Sequence, residues 1–340
     1  MYNPTKTRFV AISLATVIGV ASAQAADITG AGATFIYPIL AKWSDSYHGA
    51  TGTKVNYQSI GSGGGIAQIK AGTVVFGSSD KPLPPAELAD AGLAQFPSVI
   101  GGVVPVVNVE GAGSGTIRFT GPLLADIYQG RITRWNDPAI AQVNPGLQLQ
   151  DKAITVVHRS DGSGTTFNFV NYLSRVSPEW KANVGEGTSV SWPTGVGGKG
   201  NEGVAAYVKQ IKGSIGYVEL AYALQNGMSY AAMQNAAGQF VQPSLESFQA
   251  AAASADWKNA KDFELIITNA PGENAWPITA TNFILVYKQP KDSAGTKSAL
   301  DFFKWAYANG ADQARELHYV PLPEALIEQI EAYWAAEIKL

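Results

Sequence analysis

The sequence predicts an α/β protein, with parallel sheets flanked by helices. Three observations carry that expectation. Short runs rich in β-branched residues alternate with amphipathic stretches of helical period along most of the chain. The length, 340 residues, exceeds what one ordinary domain needs and matches about two. The composition is that of a folded interior: 46% of residues are hydrophobic and only 15% charged, against roughly 25% charged in an average soluble protein. A mean hydropathy of +0.00 excludes both a disordered chain and one that crosses a membrane many times.

The first element stands outside the fold. Met1–Arg8 carries Lys6 and Arg8 with no acid, Phe9–Val20 is apolar, and Ala-Ser-Ala-Gln-Ala-Ala follows. A basic start, a short apolar run and small residues around a cleavage point define a secretory signal peptide. Residues 1–25 form that peptide, cut after Ala23-Gln24-Ala25, so the mature chain begins at Ala26. The apolar run is well short of the roughly 20 residues a membrane span needs. Removing it takes away two cations and no anion, and moves the net charge from −3 to −5. No second apolar stretch of spanning length follows, so an exported, soluble product is expected.

Along the mature chain, β-like runs fall at Lys54–Ser59, Val74–Ser78, Ser98–Val109, Ile154–Arg159, Ile215–Val218 and Asn282–Lys288. Helical patterns fall at Ile36–His48, Gly65–Ala71, Thr165–Arg175, Glu202–Ile211 and Thr296–Asn309, with a last one from Leu322 to about Lys339. Ser98–Val109 and Phe283–Lys288 are the longest strongly β-like runs. Each fits a segment crossing between two lobes or a central strand of one large sheet, and periodicity alone does not choose. No internal repeat is present.

Composition removes several functions. A negative chain with no basic run argues against nucleic acid as a ligand. The absence of cysteine removes disulfides, thiolate metal sites and Cys nucleophiles, and suits an oxidising compartment. Only three histidines occur, His48, His158 and His318, in unrelated contexts, which argues against a His-based metal cage. The phosphate-loop pattern is missing, since Gly197-Gly198-Lys199-Gly200-Asn201 has the wrong order. No G-x-S-x-G elbow and no H-E-x-x-H run appear.

What remains is a set of three similar segments. They are Thr29-Gly30-Ala31-Gly32-Ala33-Thr34-Phe35, Ser59-Ile60-Gly61-Ser62-Gly63-Gly64-Gly65 and Asp161-Gly162-Ser163-Gly164-Thr165-Thr166. Each passes through glycines and a hydroxyl residue and then opens into a helical pattern. Glycine lets the backbone approach a ligand closely. The hydroxyl can donate, and the free N–H groups behind it sit at the positive end of the helix dipole. Any one such segment is an ordinary helix cap. Three converging on one place form an anion cage of mainly neutral donors.

Charged residues lie beside these segments. Arg159 and Asp161 are spaced two apart at the end of a β-like run, so Asp161 can hold a guanidinium that gives a bidentate contact to an oxyanion. Asp80 closes Val75-Phe76-Gly77-Ser78-Ser79-Asp80. A carboxylate suits an anion site only if the ligand has a proton to donate.

Taken together, these segments make the mature chain resemble the periplasmic phosphate-binding proteins of bacterial high-affinity phosphate ABC transporters, from Asp27 to Lys339. The carrying runs are TGAGATF (29–35), VNYQSIGSGGG (55–65), FGSSD (76–80), FPSVIGGVVPVVN (96–108), DIYQGRITRWND (126–137), RSDGSGTT (159–166), WPTGVGGKGNEGV (192–204), GSIGYVE (213–219) and AWPITATNFILV (275–286). The resemblance implies a two-lobed periplasmic binding protein of type II, each lobe a sheet flanked by helices, with the chain crossing twice and the ligand in the cleft. The crossings would lie near Gly102 and Asn282, giving one lobe from 26–102 plus 282–340 and the other from 103–281. It also implies phosphate contacts at Thr34, Phe35, Ser62, Asp80, Arg159, Asp161, Ser163, Gly164 and Thr165, with Asp80 accepting the anion's proton and Asp161 orienting Arg159.

The sequence departs from the family pattern at Ile36, where proline is common, at Gly63, where serine is common, and at His158, where a second arginine can stand. The implied partners are inorganic phosphate and the permease and ATPase subunits of a phosphate ABC transporter. The expectation is a periplasmic monomer that is not an enzyme, with no cofactor, metal or nucleic acid. The rival readings are a binder of sulfate or molybdate with the same fold, separated by Asp80, and a secreted phosphatase.

Overall fold

The structure is a computed structural model that describes Met1 and residues 27–340; the signal-peptide expectation lies outside the described residues. Twelve strands are described: β1 Ile28–Gly32, β2 Val55–Ser59, β3 Phe76–Ser79, β4 Leu93–Asn108, β5 Arg118–Phe119, β6 Thr155–Arg159, β7 Val196–Gly198, β8 Ser214–Glu219, β9 Ser229–Tyr230, β10 Ala232–Gln234, β11 Phe240–Val241 and β12 Thr279–Tyr287. The helices are α1 Tyr37–Thr51, α2 Ser62–Lys70, α3 Pro85–Ala91, α4 Gly121–Tyr128, α5 Pro138–Val143, α6 Gly164–Val176, α7 Pro178–Asn183, α8 Gly200–Gln210, α9 Leu220–Gln225, α10 Leu245–Ala252, α11 Ser293–Asn309, α12 Ala311–Glu316 and α13 Glu324–Glu337.

The main sheet runs β2-β1-β3-β12-β4-β8-β6-β7, with β9 also on β4, and a small sheet runs β11-β10-β5. Strand β4 joins two halves. Its residues 93–102 pair antiparallel with β12, and Val103–Asn108 pair antiparallel with β8. On one side β1 lies parallel to β2 and β3, and on the other β6 lies parallel to β7 and β8. The parallel strands within each half match the α/β pattern expected from the sequence, and their β-to-helix turns all face the junction.

Local chemistry explains these elements. Apart from Asn108, every residue of β4 is buried, and its run Val-Ile-Gly-Gly-Val-Val-Pro-Val-Val is the continuous apolar stretch of a strand covered on both faces. At the handover a Cβ on Gly102 would lie 2.1 Å from the Phe248 ring, so only glycine admits α10 there. The Trp276 Nε1–H donates to Val103 O at 2.9 Å and fastens the same point. The pairing of β12 with β4 shifts register between Asn282 and Phe283, a bulge that re-aims the Asn282 side chain.

Strand β4 starts earlier than its alternation suggests. Gln95 interrupts the apolar pattern, yet it is fully buried because its amide is satisfied: Oε1 accepts from Leu83 N–H, and Nε2 donates to Leu83 O and Asp262 O. Strand β1 has only Ile28 and Thr29 as β-formers before its Gly-Ala-Gly, and it is completed because β2 and β3 pair with both its edges.

Candidate functional site

Three β-to-helix turns from one half meet the turn between β6 and α6 of the other at the junction, with the β7–α8 and β8–α9 turns behind it. Thr34 follows β1. Helix α1 takes Ile36 as its N-cap with no side-chain cap, so the Thr34 hydroxyl is free of the helix. Its Oγ1 instead accepts from the Asn201 N–H at 3.2 Å and from Asn201 Nδ2 at 2.7 Å. Phe35 is fully buried, its ring edge-on to Tyr319 at 6.0 Å, and its carbonyl accepts from the Tyr319 hydroxyl at 2.6 Å. The peptide whose N–H belongs to Phe35 is held from its other end, where Thr34 O accepts from the Tyr222 hydroxyl at 2.7 Å.

Ser62 opens α2 behind Gly61. Gly61 has φ +86°, and a Cβ there would sit 2.3 Å from Asp161 Oδ2 of the opposite half, so both conformation and approach require glycine. Ser62 Oγ accepts from the Gly164 N–H at 3.0 Å and from the Asp80 N–H at 3.2 Å. The Gly63 N–H donates to Gly162 O at 2.9 Å, again across the junction.

Asp80 ends the turn after β3 and is buried. Its Oδ1 accepts from Asn282 Nδ2 at 2.7 Å, and its main-chain oxygen accepts from Asn168 Nδ2 at 2.7 Å. Burial pushes its carboxyl up to about 7, against the pull of Asn282, the Arg159 charge and Ser62.

Arg159 ends β6 and is buried. Its Nε donates to Asp161 Oδ1 at 2.8 Å and its Nη2 to Asp161 Oδ2 at 2.6 Å, so Asp161 holds the guanidinium as the two-residue spacing suggests, through a bidentate contact of the kind expected toward an oxyanion. Its Nη1 is buried with no hydrogen-bond partner. Burial works to raise the Asp161 carboxyl, but the Arg159 hydrogen bond and charge, helped by the Gly200 N–H at 3.0 Å, hold it below the usual range.

Ser163 is the N-cap of α6, its Oγ accepting from the Thr166 N–H at 2.9 Å. Gly164 and Thr165 form the first helical positions, and Thr165 Oγ1 accepts from Asn201 Nδ2 at 3.2 Å. His158 stands aside: its ring stacks on Trp192 at 4.8 Å and its Nδ1 pairs with Arg159 O at 3.0 Å. Burial lowers its pKa, so it adds no charge at neutral pH.

All nine residues singled out in the sequence therefore converge on one place. Four more were not singled out as contacts: Asn168, Asn201, Asn282 and Glu219. Asn201 and Glu219 lie in runs quoted above, GNEGV and GYVE, and Asn282 was marked only as a crossing point. Glu219 is fully buried, and burial pushes its carboxyl up to about 8; its Oε2 caps α9 at Ala221 N–H, 2.9 Å, while Oε1 has no partner.

Chemically, the place holds one buried cation with an idle donor, hydroxyls already accepting N–H groups, a helix N-terminus and two carboxyls of raised pKa, Asp80 and, behind it, Glu219. That combination suits an oxyanion, and a carboxyl facing such an anion needs one proton between the two. A groove of about 690 Å³, lined by Tyr37, Glu202, Lys209, Tyr222 and Asn226 among others, lies elsewhere and lacks this convergence of donors.

The sequence matches the PBP superfamily domain over residues 19–309. It is 72% identical over 312 residues to the phosphate-binding protein PstS of Xylella fastidiosa (strain 9a5c), covering 92% of this chain and 86% of that protein. It is 59% identical over 316 residues to the phosphate-binding protein PstS of Pasteurella multocida, covering 93% and 92%. Among solved structures, a phosphate-binding protein from Stenotrophomonas maltophilia superposes with a TM-score of 0.67 at 21% identity, covering 91% and 94% of the two chains. The fold is that of the two-lobed periplasmic binding proteins.

Proposed function

This chain belongs to the PstS phosphate-binding proteins of the PBP superfamily, which serve phosphate ABC transporters, and from that premise we propose how it holds its ligand. It binds inorganic phosphate and delivers it to the transporter. The observation that carries the residue assignment is the buried Nη1 of Arg159, a charged donor with no protein partner. A buried, unpartnered guanidinium N–H is costly, and an anion oxygen relieves it.

In this reading Arg159 supplies the charged contact and Asp161 locks its plane. Thr34 and Ser62 donate through their hydroxyls, and the Phe35 N–H donates from the turn behind β1. Ser163, Gly164 and Thr165 complete the cage at the start of α6, where the helix dipole favours negative charge. Asp80 accepts the proton that phosphate keeps at neutral pH. Affinity comes from directed donors in a dry cleft and not from bulk charge, which suits a chain of net charge −3, or −5 without its leader.

We assign residues 26–102 and 282–340 to one lobe and 103–281 to the other; the handover of β4 from β12 to β8 at Gly102 and Val103 supports that division. The lobes close around the ion, and the closed shape is the signal the permease and ATPase subunits read. We read the chain as a monomeric carrier and not an enzyme, working in the periplasm. The basic and apolar leader supports export, and no helix among the described residues is long and apolar enough to cross a membrane.

The test is a titration of phosphate-stripped protein with phosphate, sulfate and molybdate, followed by the fluorescence of its eight tryptophans. Saturation by one phosphate per chain, with sulfate and molybdate at least about a hundredfold weaker, is expected. Equal affinity for sulfate removes Asp80 from its assigned role.

A further inference from the structure

The Gly198–Gly203 turn lies against the cage, and one of its side chains touches residues from both halves. Asn201 is fully buried, and its main-chain N–H and both hydrogens of its side-chain amide are engaged. Its N–H donates to Thr34 Oγ1 at 3.2 Å, its Nδ2 donates to Thr34 Oγ1 at 2.7 Å and to Thr165 Oγ1 at 3.2 Å, and its Oδ1 accepts from the Glu219 N–H at 3.0 Å. The last bond settles the amide orientation. A main-chain N–H can only donate, so the oxygen must face β8 and the NH2 must face the two hydroxyls.

We infer that Asn201 sets the proton direction of the Thr34 and Thr165 hydroxyls, and is the positioning residue that makes both of them donors to the anion. The argument rests on the reading that these two hydroxyls touch phosphate. A hydroxyl has two acceptor sites and one hydrogen. Both acceptor sites of Thr34 Oγ1 are taken by Asn201, so its hydrogen is the only capacity left. One acceptor site of Thr165 Oγ1 is taken in the same way. With the amide flipped or absent, each hydroxyl can turn its hydrogen to a protein acceptor and present a lone pair to the anion, which repels it. Ser62 shows the same logic with different donors: its Oγ accepts from Gly164 and Asp80 N–H groups, so its hydrogen can only be given, and in this structure it goes to Asp80 Oδ2 at 3.5 Å, at the long limit of a hydrogen bond. Burial shuts out the water that would otherwise scramble these directions.

The experiment is a double-mutant cycle read by calorimetric titration with inorganic phosphate on the full mature chain. Asn201→Ala should weaken phosphate about tenfold in the natural background, and less than about threefold where Thr34→Val and Thr165→Val have already removed the hydroxyls. Such non-additivity is the expected result, because a merely structural role costs the same in both backgrounds. Equal losses in the two backgrounds overturn the inference and leave the cage intact. Unchanged phosphate affinity in Thr34→Val/Thr165→Val overturns it too, by removing the contacts it rests on. Thermal unfolding of each ligand-free variant checks folding. If Asn201→Ala does not fold, Asn201→Asp keeps the shape and the acceptor for Glu219 N–H while losing both Nδ2 donors. It should bind phosphate at least about a hundredfold more weakly, and a loss below about threefold sinks the inference.

Discussion

The two faces of the cage solve opposite halves of one electrostatic problem. The N-terminal face, Thr34, Phe35, Ser62 and Asp80, carries no cation, and its one carboxyl is driven up to about 7 by burial. The middle face, Arg159, Asp161 and Ser163–Thr165, carries the guanidinium, and its carboxyl is held low by pairing with it. Each carboxyl is defined by its neighbours and not by its type. Asp161 neutralises an arginine that would otherwise bind any anion, so the cage stays nearly charge-balanced. In the proposed assignment Asp80 then reads whether the anion still bears a proton. On that assignment strength sits on one face and discrimination on the other.

Breaking the middle face should have the largest effect. Arg159→Ala removes the charged contact and leaves the Asp161 carboxylate unpaired beside the anion. Losing one partner of a buried pair costs roughly 3–5 kcal/mol, so phosphate affinity should fall by about a hundredfold or more in calorimetry. A loss under about tenfold would mean that Arg159 is scaffold.

The N-terminal face makes a second, independent prediction about the ligand-free protein. The folded chain binds the Asp80 proton more tightly than the unfolded chain, whose carboxyl titrates near 3.8. That stabilisation is fully present below about pH 4 and is lost as pH rises toward 7. Asp80→Asn keeps an acceptor for Asn282 and has no proton to lose. Its melting temperature should therefore match that of the natural protein near pH 4 and exceed it at pH 8, where the gap corresponds to a few kcal/mol. Parallel melting curves across this range would contradict the raised carboxyl.

The smallest effect sharpens the division of labour. Sulfate has no proton at neutral pH and needs Asp80 to be protonated, whereas phosphate brings its own. Sulfate affinity should accordingly fall by about tenfold per pH unit above 7, with phosphate affinity changing far less. Competition titrations between pH 6 and pH 9 measure this, and in Asp80→Asn the sulfate slope should vanish. A slope that persists in that variant places the discriminating proton elsewhere.

Much of the site was legible because its signals are local. Glycine–hydroxyl turns announce helix starts within a few residues, and the two-residue spacing of Arg159 and Asp161 puts both side chains on one side of an extended segment. The same locality explains the basic leader and the α/β alternation. Strand β1 escaped because its glycines carry no propensity, and the start of β4 escaped because Gln95 looks like a surface residue until Leu83 and Asp262 satisfy its amide.

What the sequence by itself determined, then, was the fold class, the three turns and the identity of the charged pair, all products of backbone preference and neighbour spacing. The tertiary structure alone decided which amides stand behind the cage. Asn282 reaches Asp80 across 202 positions and Asn201 reaches Thr34 across 167, and no periodicity links such pairs. It also decided how far the carboxyls of Asp80 and Glu219 are pushed up. Desolvation is a sum over every atom packed around a carboxyl, drawn from segments far apart in the chain, and it exists only once those segments have met.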